Sequence, residues 1–280
     1  MDFGEPIFGL IERRSSCRTF DGSKRDEAAL DHLEDFIHSV NASADAEMRF
    51  VLLRQFYGMQ ERLGTYGVIS GAFDYIVGVL PKEGGDPLTF GRLFEEIILY
   101  ATALGLGTCW LGGTFQRADF TARVNPEENE FIPVVSPVGI AAPRRRLVDR
   151  AFRAGAGSNR RKAFGELFFD GSLETPLTGE TAGVYFKPLE AVRLGPSASN
   201  KQPWRVLKDG HNFHFYLCRT KGYGAVSFDV QKNDMGIAQC HFALTAADMG
   251  LSGRFDFLPS PPEAADWEYI TTFVPKTAGG

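Results

Sequence analysis

Two long apolar segments, each closed by a glycine, constrain this chain most. Residues 88–104 read as one apolar helix meeting Gly105, and residues 237–249 as a second meeting Gly250. Glycine just past a helix accepts the left-handed conformation that stops it. The two ends also read alike, LYATALGLG at 99–107 and LTAADMGLSG at 244–253. Around them the element order nearly repeats. The first part reads helix, helix, strand, strand, long helix, glycine loop, strand; the second reads helix, strand, strand, long helix, glycine, strand. A repeated supersecondary plan is the signature of a fused duplication. Coincidence between two helix–glycine–strand units is the alternative.

A chain of 280 residues makes about two domains or one large one. Its 44 % apolar and 23 % charged residues exclude a mainly disordered polymer. Glycine is in excess, 31 residues against a usual share of about 7 %. A net charge of −5 argues against a general nucleic-acid binder, though a local basic cluster can still hold one phosphate. Cys17, Cys109, Cys218 and Cys240 form no C-x-x-C pair and fit a reducing compartment better than a disulfide framework. The N-terminal MDFGEPIFGLIERR lacks the layout of a signal peptide. The longest apolar run, 97–115, holds four glycines and fits a buried helix entering a loop better than a membrane span. A cytoplasmic protein is expected, with no membrane or nucleic-acid partner.

The remaining elements follow from periodicity. Residues 6–12 carry a short helical face; residues 26–40 repeat apolar positions at helical spacing, with Asp26 as N-cap. Strands are expected at 49–53, 73–80, 131–140, 204–207, 211–217 and 267–274, with a hairpin turn at Asp209-Gly210. A helix carrying Leu189, Val192 and Leu194 ends at Gly195-Pro196. A basic loop covers 143–146 and 155–162.

Four segments could carry chemistry. Arg14, Ser16 and Arg18 alternate, so an extended segment would point all three the same way. Two guanidiniums and a hydroxyl then make a clamp for a phosphate or an anionic ring edge; the bland reading is a solvated basic turn. The segment from Gly195 to Trp204, GPSASNKQPW, is rich in hydroxyls and amides that suit the N/O edge of a heteroaromatic ring; an ordinary polar loop is its alternative. Gly112-Gly113, in the glycine-rich stretch from 105, would let a backbone N–H approach a flat ligand; a capped helix and turn would also use those glycines. Arg160-Arg161-Lys162 is a further phosphate contact or a solvated charge run. The chain lacks G-x-x-x-x-G-K-[ST], H-E-x-x-H and G-x-S-x-G. Its five histidines form no convincing ligand set; His241, on an apolar helix, reads as structural. No metal site and no catalytic triad are expected.

Together these segments resemble the FMN-dependent nitroreductase family. Its Arg-x-Ser-x-Arg signature followed by an aromatic is matched by Arg14, Ser16, Arg18 and Phe20. Its Pro-Ser-x-x-Asn-x-Gln-Pro-Trp signature is matched by Pro196, Ser197, Asn200, Gln202, Pro203 and Trp204. A Gly-Leu-Gly helix end is matched by Gly105-Leu106-Gly107, and the Arg-Lys element by Arg161-Lys162. Ordinary members are homodimers carrying both signatures in each subunit. Here the first signature lies only in the first half and the second only in the second. The chain therefore resembles the fused, pseudo-dimeric TM nitroreductase subfamily, with one composite site retained.

The resemblance implies an α+β, nitroreductase-like fold. Tandem duplication would form an intramolecular pseudo-dimer, with mostly antiparallel sheets flanked by helices. The halves would be residues 1–165 and 166–280, in one globular unit that is a monomer or a weak homo-oligomer. It further implies that Arg14, Ser16 and Arg18 hold the FMN phosphate and pyrimidine edge, and that Arg161, or less surely Arg160 or Lys162, adds phosphate charge. Ser197, Ser199, Asn200 and Gln202 would complete the pocket, and backbone N–H groups at Leu111, Gly112 and Gly113 would meet flavin N5. The flavin does the chemistry, so no acid–base side chain is required. The implied reaction is ping-pong, from NAD(P)H to a small acceptor such as a nitroaromatic or quinone. A flavin-binding sensor, or a dehydrogenase or dehalogenase on the same fold, is the alternative.

Overall fold

The structure, a computed structural model, describes residues 2–44, 48–54, 63–143, 160–223, 228–264 and 266–276. Residues 144–146 and 155–159 of the basic loop read from the sequence lie outside the described residues. The first part contains α1 (Ile7–Arg13), α2 (Glu27–Ser43), β1 (Arg49–Leu53), β2 (Asp74–Pro81), α3 (Pro87–Ala103), β3 (Gly107–Thr108), α4 (Arg117–Val124) and β4 (Glu130–Gly139). The second contains α5 (Phe164–Leu167), β5 (Phe168–Asp170), β6 (Ser172–Pro176), α6 (Gly179–Ala182), α7 (Phe186–Leu194), β7 (Trp204–Asp209), β8 (Asn212–Leu217), α8 (Val230–Asp248), β9 (Gly253–Asp256) and β10 (Glu268–Pro275).

Among the described residues two separate sheets result. One has the order β1-β2-β4-β3, the other β6-β5-β7-β8-β10-β9. Pairing is antiparallel throughout except for β5 against β7. This is the mixed helix-and-sheet architecture, with mostly antiparallel sheets, that the resemblance implied. β4 is a strand despite its prolines. Pro133 falls where Ile132 and Pro133 together face Val79, a register shift that leaves its missing N–H out of the ladder.

The helices form for legible reasons. Asp26 caps α2 by accepting from Ala29 N at 3.0 Å, and Asp86 caps α3 from Leu88 N and Thr89 N. Gly105 and Gly250 both take the left-handed conformation, at φ +76° and +73°. The hairpin turn sits one residue later than the sequence suggested, at Gly210-His211.

α8 departs most from its sequence reading. It begins at Val230, seven residues before the apolar run, because its first turns bury polar side chains. Gln231, Asn233, Asp234, Gln239, His241 and Thr245 are all buried. A helix enclosed on all sides shows no amphipathic period.

α8 crosses α3, and the two backbones meet. A Cβ on Gly91 of α3 would lie 2.1 Å from Asn233 O; one on Gly236 of α8 would lie 2.0 Å from Leu88 O. Each helix thus offers a glycine to the other's backbone. Nearby, Leu10 and Ile11 of α1 join Leu99 of α3, Ala191 of α7 and Cys240 of α8 in one buried cluster. The first and second parts of the chain therefore share apolar packing around this crossing.

Candidate functional site

Next to the crossing lies a cavity of about 560 Å3, within the size range of cofactor sites. Its walls come from both parts of the chain. After α1 the backbone becomes extended at Arg14 and pairs in parallel with the strand segment at Thr108; Cys17 N donates to Thr108 O at 2.7 Å. This holds Arg14, Ser16 and Arg18 along the cavity, together with Ser15. Gly112 lines it too, and a Cβ there would meet nothing within 4 Å.

The opposite wall is the loop between α7 and β7. Pro196, Ser197, Ala198, Ser199 and Asn200 line the cavity. Ser199, Asn200 and Gln202 all have positive φ, at 48°, 54° and 50°. Such conformations cost roughly 1–3 kcal/mol each and persist only where surrounding structure imposes them. The restraints are visible. Ala198 N donates to both oxygens of Asp234 at 3.1 Å, Gln202 N to Ser197 Oγ at 2.9 Å, and Tyr223 OH to Ser199 Oγ at 2.8 Å.

The amides act mainly within the wall. Arg161 donates to Asn200 Oδ1 and to Leu194 O, the latter at 2.9 Å. Asn200 Nδ2 and Gln202 Nε2 both donate to Arg160 O, and Lys162 N donates to Gln202 Oε1 at 2.9 Å. Segment 160–162 is thereby tied to the loop, and Arg161 reaches the cavity.

The sequence-derived residues thus divide. Arg14, Ser16, Arg18, Gly112, Arg161, Ser197, Ser199 and Asn200 line one cavity. Gln202 is buried behind the loop, Arg160 is exposed, and Leu111 is buried. The Leu111 N–H donates to Val135 O at 2.9 Å, so it has no free hydrogen to offer a ligand. Among the described residues, no group of three or more His, Cys, Asp or Glu is placed to hold a metal, and no helix is long and apolar enough to cross a membrane.

Cavity electrostatics are one-sided. Burial, with Arg14 and Arg193 nearby, pushes Arg161 down to about 10. The Arg14 side chain is 7 % exposed, and its Nε is buried with no hydrogen-bond partner. Its ion-pair neighbour is Glu95 Oε1, 3.8 Å from Nε. Asp234 also lines the cavity, and full burial holds its carboxyl well above the usual range. The cavity also has apolar lining from Ile11, Trp110, Val134, Leu194, Phe228 and Ile237. Sequence reasoning missed Trp110, Asp234 and Glu95, since each lies on a helix or loop with no motif of its own.

Asp234 gives a pH prediction. The folded state keeps its proton where the unfolded chain has released it, so this group makes stability fall as pH rises above the ordinary carboxylate range. Asp234→Asn, which still offers an oxygen to Ala198 N, is expected to raise the melting temperature at neutral pH and flatten its decline above pH 5. A variant that melts with the wild-type pH dependence would show that Asp234 is ionised.

Comparison with known proteins gives the following relatives. The family model described as "Putative TM nitroreductase" matches residues 6–246. Among solved structures, a putative nitroreductase from Thermotoga maritima aligns over 96 % of this chain and 92 % of that one, at 20 % identity and TM-score 0.59. An FMN-dependent nitroreductase from Clostridium difficile aligns over 49 % of this chain and 89 % of its own, at 17 % identity and TM-score 0.38. No curated protein matches the chain. With the match running from α1 into α8, and so across both walls of the cavity, the chain belongs to the TM nitroreductase family of oxidoreductases.

Proposed function

We propose that the chain is an FMN-dependent oxidoreductase that takes electrons from NAD(P)H and passes them to a small planar acceptor, a nitroaromatic or quinone, in two half-reactions. The observation that carries this reading is the cavity's polarity. Three arginines line the cavity, one with a buried unbonded Nε, beside an apolar surface that includes the aromatic rings of Trp110 and Phe228. A phosphate-bearing planar heterocycle combines the same two characters. The pieces fit it: Arg14, Arg18 and Arg161 would hold the anionic groups, and Ser16, Ser197 and Ser199 would bond polar ring edges. The open wall at Gly112 would admit a flat face, and the N–H groups of Gly112 and Gly113 would be the backbone donors toward it. When bound, FMN supplies hydride and electron transfer that side chains cannot. The chain's own residues would bind and orient the group and exclude water. The two parts of the chain, 1–165 and 166–280, act as one unit, since neither contains both walls.

Titrating ligand-free protein with FMN tests this. The expected result is quenching of flavin fluorescence with saturation, then anaerobic bleaching of the bound flavin by NADH or NADPH. Protein that takes up no FMN refutes the reading. Bound flavin that neither nucleotide bleaches favours a flavin-binding sensor instead.

A further inference from the structure

Behind Arg14 lies a buried polar chain that the proposed function does not use. Glu95 of α3 is fully buried. Its Oε2 accepts from Trp110 Nε1 at 2.7 Å. Its Oε1 lies 2.9 Å from His241 Nε2 and 3.8 Å from Arg14 Nε. His241 of α8 is fully buried too, and its Nδ1 lies 2.9 Å from Ala191 O. A carbonyl oxygen can only accept, so Nδ1 carries a hydrogen. The Nε2–Oε1 contact then contains one proton, held as imidazolium with carboxylate or as imidazole with carboxylic acid. Both arrangements have zero net charge.

We infer that His241 is a positioning residue for Arg14 in the cavity wall, acting through Glu95. Its proton lets a carboxylate brace Trp110 and stand beside Arg14 without cancelling the arginine's charge. Alone, that carboxylate would close on Arg14 as an ion pair and compete with any anionic ligand. The device joins the two crossing helices, one partner from each.

The ligand arm of the test rests on the flavin reading; a second arm does not. His241→Gln leaves Glu95 as an uncompensated carboxylate. It is expected to weaken FMN binding about 10-fold in fluorescence titration. Glu95→Gln removes the carboxylate, and the Glu95→Gln/His241→Gln double variant removes carboxylate and imidazole together. Both should bind FMN within about 3-fold of wild type, so adding a second substitution restores what the first lost. Thermal melts establish that the variants are folded. A merely structural histidine would give a double variant at least as weak as His241→Gln, and that result overturns the inference. So does a folded His241→Gln that binds FMN like wild type. Independently of any ligand, 15N NMR of histidine-labelled wild-type protein should show His241 with a protonated Nδ1. An unprotonated Nδ1 also overturns it. Should wild-type protein bind no FMN, the flavin reading fails, while the NMR still locates the proton. Should His241→Gln fail to fold, the double variant, which puts two neutral amides in place of the carboxyl and the imidazole, and the NMR decide.

Discussion

Gly236→Ala is expected to destabilise the protein by about 3 kcal/mol, the upper part of the range for overpacking a well-filled site. The added Cβ would sit 2.0 Å from Leu88 O and 2.7 Å from Arg92 N. Both atoms are helix backbone, which cannot rotate away as a side chain end can. α3 and α8 must move apart, and the reciprocal contact at Gly91 opens with them. For a domain of this size the loss corresponds to roughly 6–12 °C in melting temperature. The cavity should suffer as well, because Asp234, which anchors the Ala198 loop, lies two residues from the crossing. Gly112→Ala is the control. Its Cβ meets no atom within 4 Å, so the melting temperature should hold while FMN binding weakens. Differential scanning calorimetry measures both. A Gly236→Ala protein that melts within 2 °C of wild type, a tolerance of about 1 kcal/mol, would show that the helices part at little cost.

Arg14→Ala should separate binding from stability. Loss of a charge-assisted contact to a bound anion costs about 1.5–3 kcal/mol, or roughly 10- to 150-fold in FMN affinity. The ligand-free protein should be unharmed or slightly stabilised. The variant removes a buried cation whose Nε has no hydrogen bond and whose ion-pair partner is 3.8 Å away, while Glu95 keeps its bonds to Trp110 and His241. Binding groups often carry this kind of local cost. Unchanged FMN affinity would remove Arg14 from the site; a large drop in ligand-free stability would make its role structural.

Much of this was legible from particular residues. The Asp26 cap, the glycine ends at 105 and 250, and the alternation of Arg14, Ser16 and Arg18 each rest on chemistry within a few positions. What escaped was what local pattern does not encode. α4 buries only Phe120, so it has no apolar stripe to read. β6, SLETP, is a polar, mostly exposed edge strand without alternation. The first turns of α8 look like a polar loop because Gln231, Asn233 and Asp234 are polar. They are helical because tertiary burial supplies Gln231 with Thr220 and Tyr223 as partners, and Asp234 with Ala198. Gln202, in the most specific motif of the chain, serves the backbone of segment 160–162 and of Asn200 rather than the cavity surface.

By itself the sequence determined most of the longer helices and strands, the two glycine helix ends and the charged, hydroxyl and amide side chains available to a site, because propensity, capping and side-chain chemistry act over short range. Tertiary structure alone decided which of those residues share a cavity, and why two of the glycines lie inside helices rather than at their ends. It also decided that His241, read as a structural histidine on an apolar helix, stands 2.9 Å from a carboxylate beside Arg14. That contact spans 146 positions and exists only because Gly91 and Gly236 let two helix backbones touch. Proximity across such separations depends on how whole helices pack, which no local pattern of residues records.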